Sequence, residues 1–220
     1  MVIVTFYTPE YEHYLSGWLA SMGDRKTCAY ARHSRGTWRD NVGHKPDVIV
    51  KALEEWKQPI FWLDVDAAII GPCPLLDELP DLCDFAVYSQ SVHALGTARG
   101  SPGGTKAKNA QLLSGSLFFN NTWGAILFAK RWRAREAGQY MSGQVVLGET
   151  FWYDRPPFLR THMLPEEYCK IAKFDYKTGT GPDQIRHASA SVEGGRAAAG
   201  VFTKEQRVQE RRRRCGVMHG

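Results

Sequence analysis

Phe61-Trp62-Leu63-Asp64-Val65-Asp66 is the stretch on which the fold turns, and Ala67 to Ile70 continue it with a second apolar run. A short apolar run at this point reads as a buried strand. Two carboxylates at its end are costly to bury unless something positive meets them. On an ideal strand the side chains at i and i+2 point to the same side, so Asp64 and Asp66 are expected to converge on one cation. A divalent ion that itself holds a diphosphate fits, because such ions take one or two carboxylates plus phosphate oxygens.

Outward from this strand, elements of both periods alternate. Val2 to Thr8 reads as a first strand stopped by Pro9, and Tyr11 to Met22 as an amphipathic helix closed by Gly23. Cys28-Ala29-Tyr30 is a weak second strand, and Arg32 to Lys45 is expected to be a basic loop. Pro46 suits the first turn of a helix over Asp47 to Trp56. Beyond the central strand come a short helix at Leu75 to Leu79, a strand at Phe85 to Tyr88, and a glycine-rich, acid-free loop at residues 96–109 that lacks the P-loop spacing. Leu112 to Asn120 is a strand with a small polar centre, where Gly115 permits close approach of a ligand or neighbour. Trp123 to Arg133 reads as a helix with Trp123, Ile126 and Leu127 on its apolar face; residues 139–152 form a weaker one; Phe158 to Leu164 is a strand. Alternation of this kind predicts an α/β fold, with a mixed, mostly parallel Rossmann-like sheet flanked by helices. Ligands of such sheets bind beyond the carboxyl ends of strands, where Asp64 and Asp66 fall.

The 220 residues allow one α/β domain, read as 1–191, followed by a Gly/Ala linker and basic tail at 192–220. Five cysteines without a C-x-x-C pair argue against a disulfide framework and a zinc knuckle. No signal peptide and no membrane-length apolar stretch is visible, which predicts a cytoplasmic protein. Of the net charge of +5, residues 201–220 supply most, with six basic residues against two acids. The folded part is therefore near neutral, and a broadly nucleic-acid-coating body is excluded.

The motifs narrow this further. Asn41-x-x-x-Lys45-Pro46-x-x-Ile49-x-x-Ala52-Leu53 followed by Phe61 to Asp66 resembles the nucleotide-diphospho-sugar transferases of the GT-A fold, the D-x-D glycosyltransferases, and most of all their small phage and bacterial members. Leu113-Ser114-Gly115-Ser116-x-x-Phe119-Asn120 is similar to the small-residue strand beside their sugar pocket. Leu164-Pro165-Glu166-x-Tyr168-Cys169 and Ile185-Arg186-His187-x-x-Ala190-Ser191 resemble the segments that close such domains.

That resemblance implies a role for each matching position. Asp66 and His187 would hold Mn²⁺ or Mg²⁺, imidazole being a suitable ligand for Mn²⁺, and Asp64 would bind the metal or the donor's ribose. Thr5, Tyr7 and Thr8 would line the nucleobase of the donor, a UDP-sugar or a relative, with Lys45 at its diphosphate and Trp62 in its wall. Ser114, Gly115, Asn120 and Gln144 would face sugar or acceptor. The family's Asp-Gln or Asp-Glu pair appears here as Gly143-Gln144, with Ser142 before it, so the acid is missing: either Glu149 substitutes or the chemistry leans on donor electrostatics alone. The expected activity is metal-dependent sugar transfer to an acceptor hydroxyl. The basic run Arg211 to Arg214 makes a hydroxymethylated base in DNA, as in phage DNA modification, a candidate acceptor. A haloacid-dehalogenase-like phosphatase also uses D-x-D, but on its first strand and with Thr or Val where Ala68 stands. Nucleic-acid binding without catalysis is the other alternative, and it leaves Asp64 and Asp66 unexplained.

Overall fold

In the computed structural model, which describes residues 1–90, 111–137, 143–171 and 182–188, the apolar runs become strands. They are β1 (Val2–Tyr7), β2 (Thr27–Ala31), β3 (Ile60–Leu63), β4 (Ala67–Ile69), β5 (Phe85–Gln90), β6 (Gln111–Phe119), β7 (Thr161–Met163), β8 (Lys170–Ile171) and β9 (Ile185–His187). The helices are α1 (Leu15–Met22), α2 (Trp38–Val42), α3 (Lys45–Trp56), α4 (Leu75–Leu82), α5 (Trp123–Glu136) and α6 (Gly143–Tyr153). Six strands form the main sheet in the order β2-β1-β3-β6-β5-β7, and three of its five pairings are parallel. This is the expected mixed α/β sheet. A small second sheet, β4-β9-β8, stands beside it.

Strand alternation decides the layering. Val2, Val4, Ile60, Trp62, Leu117 and Phe119 pack with α3, α5 and α6 on one face. Ile3, Phe61, Leu63 and Phe118 pack with α1 and α4 on the other. Both faces are covered, so the central strands read as continuous apolar runs. Phe85, Phe119, Phe128 and Phe151 meet with ring centroids 4.7–6.3 Å apart. Each fully buried ring of this kind contributes about 1.5–3 kcal/mol.

Several local expectations change. Pro9–Tyr14 is a 3₁₀ turn, and the α-helix begins only at Leu15. The expected loop before Lys45 contains α2, because Thr37 and Asp40 form a capping box around its first turn. Helix α5 has the expected period, but its buried face is Gly124, Ala125, Phe128, Ala129 and Trp132. Trp123 is 70% exposed and stacks on Phe158 instead. The chain was apolar on both sides here, and Phe85 and Phe151 draw in the Phe128 side. No helix among the described residues is long and apolar enough to cross a membrane. Backbone packing divides the chain after Ala188. The glycine-rich loop, the start of the 139–152 helix, the linker and the basic tail lie outside the described residues.

Candidate functional site

The sheet brings the site together by register. Strand β3 runs parallel to β1 and antiparallel to β6, with Leu63 opposite Ser116. The strand ends there, so the expectation that Asp64 and Asp66 are its last residues is corrected. Both acids lie in the turn between β3 and β4, closed by the Ala67 N–H donating to Asp64 O at 2.9 Å. Asp readily enters turns, and here the turn aims both carboxylates past the carboxyl end of the sheet. On return, β4 pairs antiparallel with β9, placing Ala67 opposite His187. The Ala188 N–H donates to Asp66 O at 2.9 Å. One ligand atom from each of Asp64, Asp66 and His187 then lies within 4.8 Å of the others.

Asp64 and His187 are held from behind. Asp64 Oδ1 accepts from Trp62 Nε1 at 2.8 Å and pairs with Lys45 Nζ at 2.7 Å. Lys45, only 4% exposed, also donates to Ser114 O at 2.8 Å and Ser114 Oγ at 3.2 Å. The lysine expected at the diphosphate is therefore a buried bracket between α3, the D-x-D turn and β6. His187 Nε2 lies 3.0 Å from Ser116 Oγ and 4.0 Å from Cys169 Sγ. Its ring comes this close to β6 because position 115 has no side chain. A Cβ there would be 2.5 Å from His187 Cε1. The close approach that Gly115 permits is thus made by a neighbour.

Electrostatics agree with a cation centre. Burial lowers the His187 pKa, against the pull of Asp66 and Asp64, so the imidazole is neutral and able to ligate. Burial pushes the Cys169 thiol up to about 12, which leaves it a protonated neighbour of the histidine. The set of two carboxylates and one imidazole suits Mn²⁺ or Mg²⁺, and Ser116 behind the imidazole is the outer hydrogen bond that metal-ligating histidines usually carry.

Not every expected residue is here. Thr5, Tyr7 and Thr8 lie at the carboxyl end of β1, on the same edge, but Thr5 and Thr8 are fully buried and only Tyr7 keeps exposed surface. Gln144 is half-buried in the first turn of α6. The structure corrects Asn120. It follows the far end of β6, four residues beyond Ser116, or about 13 Å along a strand. Its amide nitrogen donates to Pro80 O and Cys83 O at 2.7 and 2.9 Å, and its oxygen accepts from Asn121 N. Glu149, the candidate substitute acid, pairs with Arg135 at 3.4 Å.

Two residues appear that the sequence did not flag. Tyr11, in the 3₁₀ turn after β1, has its phenol held above the ordinary range by burial and then by the charges of Asp66 and Glu10. Pro9 is the one local signal that this segment departs from a regular helix. Glu136 stands beside the first turn of α6, where a Cβ on Gly143 would be 3.4 Å from its Oε1. Burial raises its carboxyl pKa, moderated by the Trp132 indole and the charge of Lys45.

Solved structures share this architecture. A glycosyltransferase involved in the glycosylation of the major capsid of PBCV-1 superposes with a TM-score of 0.57 at 13% identity, covering 91% of this chain and 98% of its own. The glycosyltransferase GlyE of Streptococcus pneumoniae TIGR4 gives 0.50 at 14%, covering 84% of this chain and 53% of its own. The bifunctional glycosyltransferase WbbM gives 0.51 at 11%, covering 86% and 45%. This chain thus spans about half the length of the latter two. No protein-family model and no curated protein matches the sequence. At these identities the likeness is one of fold, and the fold is that of the GT-A-type glycosyltransferases.

Proposed function

We propose that the chain is a metal-dependent glycosyltransferase, moving a sugar from a nucleotide-diphosphate donor such as a UDP-sugar to an acceptor hydroxyl. One observation carries this reading: Asp64, Asp66 and His187 converge within 4.8 Å at the carboxyl end of the central strand, in a fold shared with sugar transferases. These three residues would hold Mn²⁺ or Mg²⁺. When bound, such an ion supplies the positive charge that stabilises a departing diphosphate.

The chain's own residues supply position. Among the described residues, Trp62 and Lys45 both bind Oδ1 of Asp64, so they fix the carboxylate that would help to hold the ion. Ser116 and the bare backbone of Gly115 fix the His187 ring. Tyr7 and Tyr11 flank the donor side, Tyr11 close enough to Asp66 to feel its charge. Gln144 and Ser114 stand on the β6 and α6 side, which we assign to sugar and acceptor. Lys45 is assigned to holding Asp64 in place of contacting the diphosphate.

A panel of UDP-, GDP- and dTDP-sugars with Mn²⁺ or Mg²⁺, scored by release of the nucleoside diphosphate, tests the reaction. Hydroxymethylated DNA in half of the reactions tests the acceptor suggested by Arg211 to Arg214. Divalent-dependent release from at least one donor is expected. Phosphate release from simple monoesters, with every nucleotide sugar inert, overturns the reading.

A further inference from the structure

The strand that carries His187 is short on pairing. Strand β9 has three residues, facing three in β4 and two in β8. Ile185 and His187 are buried on one side and Arg186 is exposed on the other. A slip of one residue would turn the histidine outward and the arginine in. Register here must be set by more than so few ladder bonds, and Gln184 is placed to set it.

Gln184, at the head of β9, is tied on every side. Its N–H donates to Glu167 O at 2.8 Å, and its carbonyl accepts from Ile70 and Gly71 N–H at 2.9 and 3.2 Å. Its side-chain oxygen accepts from Cys73 N at 2.8 Å, and its Nε2 donates to Pro182 O at 3.0 Å. The receiving turn is shaped for it. Cys73 adopts φ 52°, a left-handed conformation uncommon outside glycine, and its N–H meets the Gln184 amide. Gly71 has no side chain where one would overlap that amide, with a Cβ 2.8 Å from Gln184 Cδ.

We propose that Gln184 is a positioning residue for the cation site: seated in the 71–73 turn, its amide locks the register of β9 and so presents His187 to the ion. The proposal rests on the reading that Asp64, Asp66 and His187 bind a divalent ion. It needs no contact between Gln184 and that ion, and none is claimed.

Two substitutions test it from opposite sides. Gln184→Met keeps the length and removes both amide bonds. Gly71→Ala leaves Gln184 intact but pushes the amide from its seat; the atoms it meets are the far end of a flexible side chain, so the fold can absorb it. Mn²⁺ affinity, read from the electron paramagnetic resonance signal of the free ion, is compared for wild type, both variants, Gln184→Glu, Asp66→Asn and His187→Ala, with melting temperatures in parallel. The expected result is a 10- to 100-fold loss, about that of removing outer-shell support from a metal ligand, in Gln184→Met and Gly71→Ala. Gln184→Glu keeps the acceptor oxygen for Cys73 and is expected to stay within about threefold of wild type, since one retained hydrogen bond holds the seat. Lowered melting temperatures with unchanged Mn²⁺ affinity would reduce Gln184 to a structural brace and overturn the proposal. Absence of Mn²⁺ binding by wild type, or equal binding by Asp66→Asn, overturns the cation-site reading itself, a separate and recognisable outcome.

Discussion

The middle of strand β6 and its carboxyl end carry similar residues and do different things. In the middle, Ser114, Gly115 and Ser116 meet Lys45, Asp64 and His187. Just past the end, Asn120 and Thr122 meet Asp84, which also pairs with Arg160. Each place has a carboxylate, a cation and small polar residues. The difference lies in where the bonds close. Asp84 accepts from Thr122 Oγ1 at 3.0 Å, Arg160 N at 2.9 Å and the Arg160 guanidinium at 3.3 Å, so the chain itself neutralises it. Asp64 is held through one oxygen, and Asp66 and His187 converge beside it. A closed polar network staples a fold, whereas convergent ligand atoms held from behind leave room for an ion.

Charge removal at the two places should have opposite effects. Asp66→Asn is expected to weaken Mn²⁺ binding by about 100-fold or more and to abolish transfer. Asp84→Asn should do the reverse: about 1–3 kcal/mol of stability lost in urea titrations, with Mn²⁺ affinity intact. Its pH dependence has a definite sign. Burial raises the Asp84 pKa, but hydrogen bonds from Arg160 and Thr122 outweigh it and hold the value below the usual 3.8. The stabilisation from Asp84 is thus present above its unfolded pKa and lost as pH falls through the folded one. The deficit of Asp84→Asn should therefore shrink in acid.

Gly115→Ala perturbs the middle of β6 without touching a charge. The new methyl would press on the His187 ring, and about a tenfold loss of Mn²⁺ affinity is expected, in the range seen when support of a ligand is disturbed. Asn120→Ala is its counterpart at the closed end, where unpaired Pro80 and Cys83 carbonyls should cost about 1–3 kcal/mol and leave Mn²⁺ affinity unchanged.

The smallest effect concerns Glu136, whose carboxyl pKa is raised first by burial. A raised folded value means that Glu136 favours the fold only below its unfolded pKa and loses that contribution as pH rises through the folded one. Glu136→Gln should therefore melt slightly higher than wild type at pH 7, with the gain vanishing toward pH 4. A gain that grows in acid would contradict the burial of this charge.

Much of this was legible in the residues, for physical reasons. Strands buried on both faces must be apolar throughout, so Val2 to Val4 and Ile60 to Leu63 announce themselves. Asp64, Asp66 and His187 were expected together from their motifs, and the structure juxtaposes them. What failed to show was whatever depends on tertiary neighbours. An Asp after a strand reads alike whether it ends the strand or turns, and only the Ala67–Asp64 bond decides. An Asn closing a strand reads alike whether it faces a sugar or caps the Pro80 and Cys83 carbonyls. Helix α5 carries apolar residues on two faces, and Phe85 and Phe151 select between them. Gln184 has no motif at all; its meaning comes from Gly71 and Cys73, more than a hundred residues away.

Asp64, Asp66 and His187 converge, and we propose that a divalent ion on them holds a nucleoside diphosphate against the chain. Calorimetric titration of UDP into wild type and Asp66→Asn, each with Mn²⁺ and with chelator, tests it most directly. Saturable binding to wild type that requires Mn²⁺ and disappears in Asp66→Asn is expected. UDP binding of equal strength with chelator, or in Asp66→Asn, would contradict it.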